Sequence, residues 1–351
     1  MAPQETTSKE TARPTLDRSV EEDLIFVISP PRAGSTLLQR MLGSHSDIFT
    51  HPEPHLITPL AYLGYFQHVD RAQYDHINSA EAMRLFVKGL PEGEEDYLDA
   101  LRAYANTLYG RMLATSDRSR FLDKTPAYGL VLPFLTRLYP RAKYVVLTRH
   151  PLAVFSSYAN SFFEGQWQTA HEFNPIVERY VPAMAKFLRE RPVPLLHVDY
   201  EDLVTEPARA LERIFAYCGL PNEPEAVDYG ERFSGDRKGP GDPIGVQQHS
   251  RPVKSSVDKW AAELNADPKK LELAERMVSS LADEDLEAWG HSRATLFEPL
   301  TRAGQKPIER TRNRYTFQRR VFLALRKNIH ERPHGRVIKR VKYYCDVLLR
   351  E

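Results

Sequence analysis

Three things are scarce in this chain. Its 351 residues hold two cysteines, Cys218 and Cys345, too few for a disulfide framework and without metal-ligand spacing, so no metal site is expected. No apolar run approaches the roughly 20 residues that a membrane-spanning helix needs. Net charge is nearly absent: 48 Lys/Arg against 47 Asp/Glu leave +1, and no nucleic-acid partner is expected. That balance hides an asymmetry. Residues 301–351 carry 15 Lys/Arg and 4 Asp/Glu, or +11, which leaves −10 on the rest. A basic tail on an acidic body points to docking within the chain or to an acidic protein partner. Residues 1–22 are polar, lack the apolar core of a signal peptide and read as a disordered leader. A cytoplasmic protein is the expectation.

What is present is a pattern of strands and helices in turn. "DLIFVISP" (23–30), "AKYVVLTR" (142–149) and "VPLLHVDY" (193–200) are short apolar runs of the kind buried on both faces of a parallel sheet. Helical patterns lie between them over 94–114, 129–140 and 173–192, and a further one follows at 206–220. This alternation predicts an α/β fold with a central parallel sheet flanked by helices, its ligands bound at the carboxyl ends of the strands. Residues 230–256 are rich in Gly, Pro and charge and read as a long loop. Closing helices follow, and then basic amphipathic helices in the tail.

The first strand runs into "SPPRAGSTLLQRML" (29–42), which has the parts of an anion cradle. Ala33, Gly34 and Ser35 have little bulk, so backbone N–H groups can approach a ligand. Ser35 and Thr36 add hydroxyls, and a helix start supplies partial positive charge. Arg32 adds a fixed charge that can bind oxygens in pairs. The Gly-Lys-Ser/Thr of nucleotide hydrolases occurs nowhere in the chain, which weighs against a P-loop kinase or nucleotide hydrolase. That class remains an alternative, as does a non-catalytic nucleotide-binding module.

"SPPRAGSTLL" (29–38) and "YVVLTRHPLAVFSSY" (144–158) together resemble sulfotransferases that use 3′-phosphoadenosine 5′-phosphosulfate (PAPS), in particular the branches whose phosphate loop carries Arg. The resemblance covers about residues 23–262. It implies a three-layer, P-loop-like fold and metal-independent, in-line transfer of a sulfuryl group to a hydroxyl, with 3′-phosphoadenosine 5′-phosphate (PAP) as product. Arg32, Ala33, Gly34, Ser35 and Thr36 match the loop that grips the 5′-phosphosulfate, with Arg32 in place of the usual Lys. Arg149, Pro151, Ser157 and Tyr158 match the 3′-phosphate segment, where Arg149 and Ser157 hold the phosphate. "THPEPHL" (50–56) is similar to the segment of the tyrosylprotein branch that carries a catalytic Glu. Glu53 matches it, and His55 is the alternative base, with His51 also flanking. "FLDKTPAY" (121–128) supplies Lys124 to neutralise charge on the transferring group.

In "HSRPVKSSVDKW" (249–260), Ser255 or Ser256 and Lys259 match residues that hold the nucleotide, and Trp260 reads as core rather than adenine platform. Arg237 and Lys238 lie in "DRKGPGDP" (236–243), one residue shorter than the corresponding segment of soluble sulfotransferases and without its Trp. The implied domain is 23–290, with a basic extension over 291–351. Acceptor-side segments 57–110 and 159–180 carry Tyr62, Tyr65, Phe66, Tyr97, Tyr104, Phe162, Phe163 and Trp167, which fits an apolar hydroxyl compound. The loop and "HPEPHL" also resemble sulfotransferase domains that act on carrier-bound acyl chains in polyketide assembly, so such a chain is a second expected acceptor.

Overall fold

The computed structural model describes residues 20–61, 76–233, 249–302 and the single position 337. Arg237, Lys238, Cys345, Tyr62, Tyr65, Phe66, the leader before Val20 and nearly all of the basic tail lie outside them. Five strands form one sheet: β1 (Leu24–Ile28), β2 (Ile48–Thr50), β3 (Arg120–Lys124), β4 (Lys143–Thr148) and β5 (Leu195–Asp199). Their order is β2-β3-β1-β4-β5, and every neighbouring pair is parallel. The three apolar runs of the sequence are β1, β4 and β5.

β1 is central and completely buried, and its side chains alternate between two cores. Leu24, Phe26 and Ile28 join one cluster with Tyr128, Tyr144, Phe155 and Met184. Ile25 and Val27 join the other with Leu38, Met41, Leu211 and Phe215. Helices such as Pro151–Phe163 and Ile176–Glu190 cover the first face, while Ser35–Leu42 and Pro207–Cys218 cover the second. The result is the expected three-layer α/β arrangement. No helix of the described residues is long and apolar enough to cross a membrane.

Packed residues continue past both expected domain bounds. The expected domain end at 290 falls inside packed structure: Leu296 is buried in the first core and Leu300 packs against it. At the other end, Glu21 is buried and accepts hydrogen bonds from Arg141, so the packed body begins before residue 23. A strand was also hidden. β3 lies between β1 and β2, yet "RFLDK" has three charged residues in five and shows no apolar run. Asp123 and Lys124 are both wholly buried there. Burial of two ionisable groups on a central strand is costly unless each is paired, and each is.

Candidate active site

The chain leaves β1 for helices on one side and β4 for helices on the other, so the two strands part their connections at their carboxyl ends. A crevice opens there, as expected at such a switch point. Both arginine loops begin at it. After β1 the chain turns through Arg32 (φ 70°) and Gly34 (φ 94°) before the helix Ser35–Leu42. Gly34 is required twice. Its φ is left-handed, and a methyl group there would lie 2.4 Å from the Tyr200 ring, which closes the back of the turn.

The second loop meets the first. Arg32 Nε donates to Ser157 Oγ at 3.3 Å, and Arg149 Nη1 donates to the Arg32 carbonyl at 3.2 Å. Arg149 Nη2 donates to the Ser256 carbonyl at 2.7 Å, and its guanidinium lies 4.2 Å from the Tyr200 ring centroid. Trp289 donates its indole N–H to the Arg149 carbonyl at 2.9 Å. Pro151 starts the helix that carries Ser157. Three separate segments thus fix one buried guanidinium at the carboxyl end of the sheet.

On the other side of the loop, Lys124 reaches forward from the end of β3. Its Nζ contacts Glu53 Oε1 at 2.5 Å and Thr36 Oγ1 at 3.5 Å. Glu53 Oε2 faces His55 Nε2 at 3.7 Å. The Glu53 side chain is 13% exposed and that of His55 48%, so Glu53 sits in the crevice wall and His55 at its rim. Burial lowers the Lys124 pKa, and the Glu53 carboxylate opposes that shift.

These groups surround one cavity of about 790 Å³. Arg32, Gly34, Ser35, Thr36, Glu53 and His55 line it, as do Arg149, Ser157, Ser255, Ser256 and Lys259. Ala33 does not: it is buried in the first core, and its N–H turns to the Pro30 carbonyl at 3.4 Å. Lys124 does not line the cavity; it stands behind the wall, where its Nζ meets Glu53 and Thr36. Trp260 is buried and stacks on His150 at 4.1 Å, which makes it core with one edge on the cavity. Among the expected acceptor-side aromatics, Phe163 and Trp167 are core and Tyr97 packs against it. Tyr104 is exposed away from the cavity lining, while Phe162 lines it, is 45% exposed and lies 5.8 Å from the Arg32 guanidinium.

Sequence reasoning missed Tyr200, Tyr229 and Arg251, which also line the cavity. Tyr200 follows β5 directly, and an aromatic at the end of an apolar run reads as core. Behind the Arg149 loop, His150 is buried, pushed down to about 3 by that burial and so held neutral. The His150 N–H donates to Glu201 at 3.3 Å, and burial followed by Asp199 pushes the Glu201 carboxyl up to about 8.

Comparison with known proteins agrees with the geometry. The sulfotransferase family profile matches residues 23–224, more than half of the chain. The nodulation protein NoeE of Sinorhizobium fredii (strain NBRC 101917 / NGR234) is 30% identical over 191 residues, which are 54% of this chain and 43% of that protein. A protein of Aquifex aeolicus (strain VF5) is 24% identical, and the match covers 76% of this chain and 34% of that one. The chain therefore spans less than half the length of these two relatives. Among solved structures, the sulfotransferase domain of the Synechococcus PCC 7002 olefin synthase is 25% identical, with a TM-score of 0.47 over 74% of this chain and 95% of that domain. A sulfotransferase domain from the curacin biosynthetic pathway gives 24% and 0.47, over 72% and 96%. The chain belongs to the sulfotransferase family.

Proposed function

Taking that membership as the premise, we propose that the chain uses PAPS as sulfuryl donor and transfers to a hydroxyl group. The observation that carries this reading is the convergence of Arg32, Arg149 and Ser157, from two distant loops, on one cavity. The cavity fits such a ligand. Two guanidinium groups with the hydroxyls of Ser35, Thr36 and Ser157 form a donor set for phosphate and sulfate oxygens, and Gly34 leaves room where a methyl would strike Tyr200. When bound, PAPS supplies the sulfuryl group: a new S–O bond forms to the acceptor as the S–O bond to the 5′-phosphate breaks, releasing PAP.

The chain's own residues divide the remaining work. Arg32, Gly34, Ser35 and Thr36 hold the phosphosulfate end, while Arg149 and Ser157 hold the 3′-phosphate. Ser255 and Lys259 close the nucleotide side. Glu53 takes the acceptor proton at Oε2, since Oε1 is engaged by Lys124. Lys124 places positive charge beside Thr36, where negative charge grows as the bond breaks. His55, at the rim and 3.7 Å from Glu53, is the second candidate for the proton. The exposed Phe162 favours an acceptor hydroxyl carried on an apolar skeleton, whether a small molecule or a carrier-bound acyl chain. An acidic carrier would also complement the basic tail.

The test is transfer from ³⁵S-labelled PAPS to a panel of aliphatic and phenolic alcohols, free and carrier-bound. Labelled product with wild type and none with Glu53→Gln, at equal PAP affinity, supports the reading. No transfer to any acceptor together with no PAP binding would overturn it.

A further inference from the structure

Behind the Lys124–Glu53 pair lies a buried carboxylate to which the mechanism above gives no task. Asp123 is 0% exposed on β3. It accepts hydrogen bonds from Thr125 Oγ1 at 2.9 Å, Tyr128 Oη at 2.9 Å and Tyr109 Oη at 2.6 Å. Burial pushes its pKa up, and the three hydroxyls and Lys124 draw it back. Two of the hydroxyls have a second partner. Thr125 Oγ1 accepts the His55 backbone N–H at 3.4 Å, and Tyr128 Oη accepts that of Ile57 at 3.1 Å. A backbone N–H can only donate, so each hydroxyl must send its own proton elsewhere, and both protons go to Asp123.

The segment held in this way does not hold itself. Glu53 and His55 are non-glycine residues at φ 27° and 52°. Such backbone persists only where its surroundings over-determine it. Lys124 grips the segment by the Glu53 side chain; Thr125 and Tyr128 grip it by the backbone two and four residues further on.

We propose that Asp123 is a positioning residue: it orients the Thr125 and Tyr128 hydroxyls as a clamp on the His55 and Ile57 N–H groups, and the clamp fixes where the Glu53 carboxylate stands. The catalytic consequence rests on Glu53 as the base, but the clamp can be read without turnover. Tyr109 is the internal control, because its hydroxyl bonds the same carboxylate and makes no hydrogen bond to residues 51–57.

The experiment is amide hydrogen exchange across residues 51–57, run beside PAP affinity and the rate of sulfuryl transfer. Thr125→Val is expected to speed exchange at His55, and Tyr128→Phe at Ile57, each about tenfold, the scale of one lost hydrogen bond. Asp123→Ala, which removes both acceptor oxygens, is expected to expose both amides; should it fail to fold, the hydroxyl variants carry the test. Thr125→Ser restores the wild-type pattern, and Tyr109→Phe leaves both amides protected. Transfer falls about tenfold in Thr125→Val and Tyr128→Phe with PAP affinity unchanged. Unchanged exchange in those two variants would overturn the clamp, as would equal exposure in Tyr109→Phe. Faster exchange with an unchanged rate would overturn the positioning role. An intact clamp in a wild type that neither binds PAP nor transfers to any acceptor would support the clamp and overturn the PAPS reading instead.

Discussion

The two walls of the cavity rest on the sheet in different ways. The wall from β1 and β4 is a meeting of loops: Arg32 bonds Ser157 and Arg149 across more than a hundred residues, and the strands beneath are mostly apolar. The wall from β2 and β3 is a meeting of charges: Lys124, Asp123 and Glu53 lie in or beside a central strand, each satisfied by a specific partner. The first wall is suited to gripping a ligand that brings its own negative charge. The second holds its charge in place beforehand, as a site for proton transfer and transition-state charge must. Mutations in the first wall should therefore move affinity, and mutations in the second should move rate.

The largest expected effect lies in the second wall. Glu53→Gln should lower kcat by about 10²–10⁴-fold, the usual worth of a positioned base, while PAP binds as in wild type in calorimetry. His55→Gln, at the rim, should cost less; an equal loss would transfer the base role to His55. Lys124→Met comes next, with a loss of about 10²–10³-fold in kcat, the scale of one preorganised donor at a developing charge. If either substitution weakened PAP binding as much as it slowed transfer, the division between the walls would fail.

Gly34→Ala probes the first wall by bulk instead of charge. The added methyl must displace the Tyr200 ring, on which Arg149 rests, so PAP affinity should fall about tenfold or more with less change in rate at saturating donor.

These walls were not equally legible in the sequence. β1, β4 and β5 announce themselves as apolar runs, and Arg32, Gly34, Arg149 and Ser157 follow β1 and β4 in segments that carry the family resemblance, so the loop wall could be placed from those runs and that resemblance together. β3 could not, because "RFLDK" hides a central strand behind three charges. Its burial depends on tertiary partners, Tyr109 for Asp123 and Glu53 for Lys124, that no local window contains. Tyr200 escaped for the opposite reason: its position at the end of an apolar strand made it look like ordinary core. Phe162 and Trp167 carry the same local signal, and only packing separates the exposed ring from the buried one.

The smallest expected effect concerns the layer behind the first wall. Glu201 titrates near 8 in the fold against an ordinary 4.5, so from about 4.5 upward the folded chain binds a proton that the unfolded chain has lost. That contribution to stability is full below 4.5 and declines as pH rises through 8. Glu201→Gln should thus raise the Tm relative to wild type at pH 8.5 and narrow the difference at pH 5. A constant difference across that range would show that Glu201 does not carry the titration.

The most direct test of the central claim is calorimetric titration of PAP into wild type and Arg149→Ala, in EDTA and again in Mg²⁺. The account predicts binding in both buffers that weakens by about a hundredfold in the variant, the worth of a desolvated, charge-assisted contact. Binding that needs Mg²⁺, or that survives the loss of Arg149 unchanged, would contradict it.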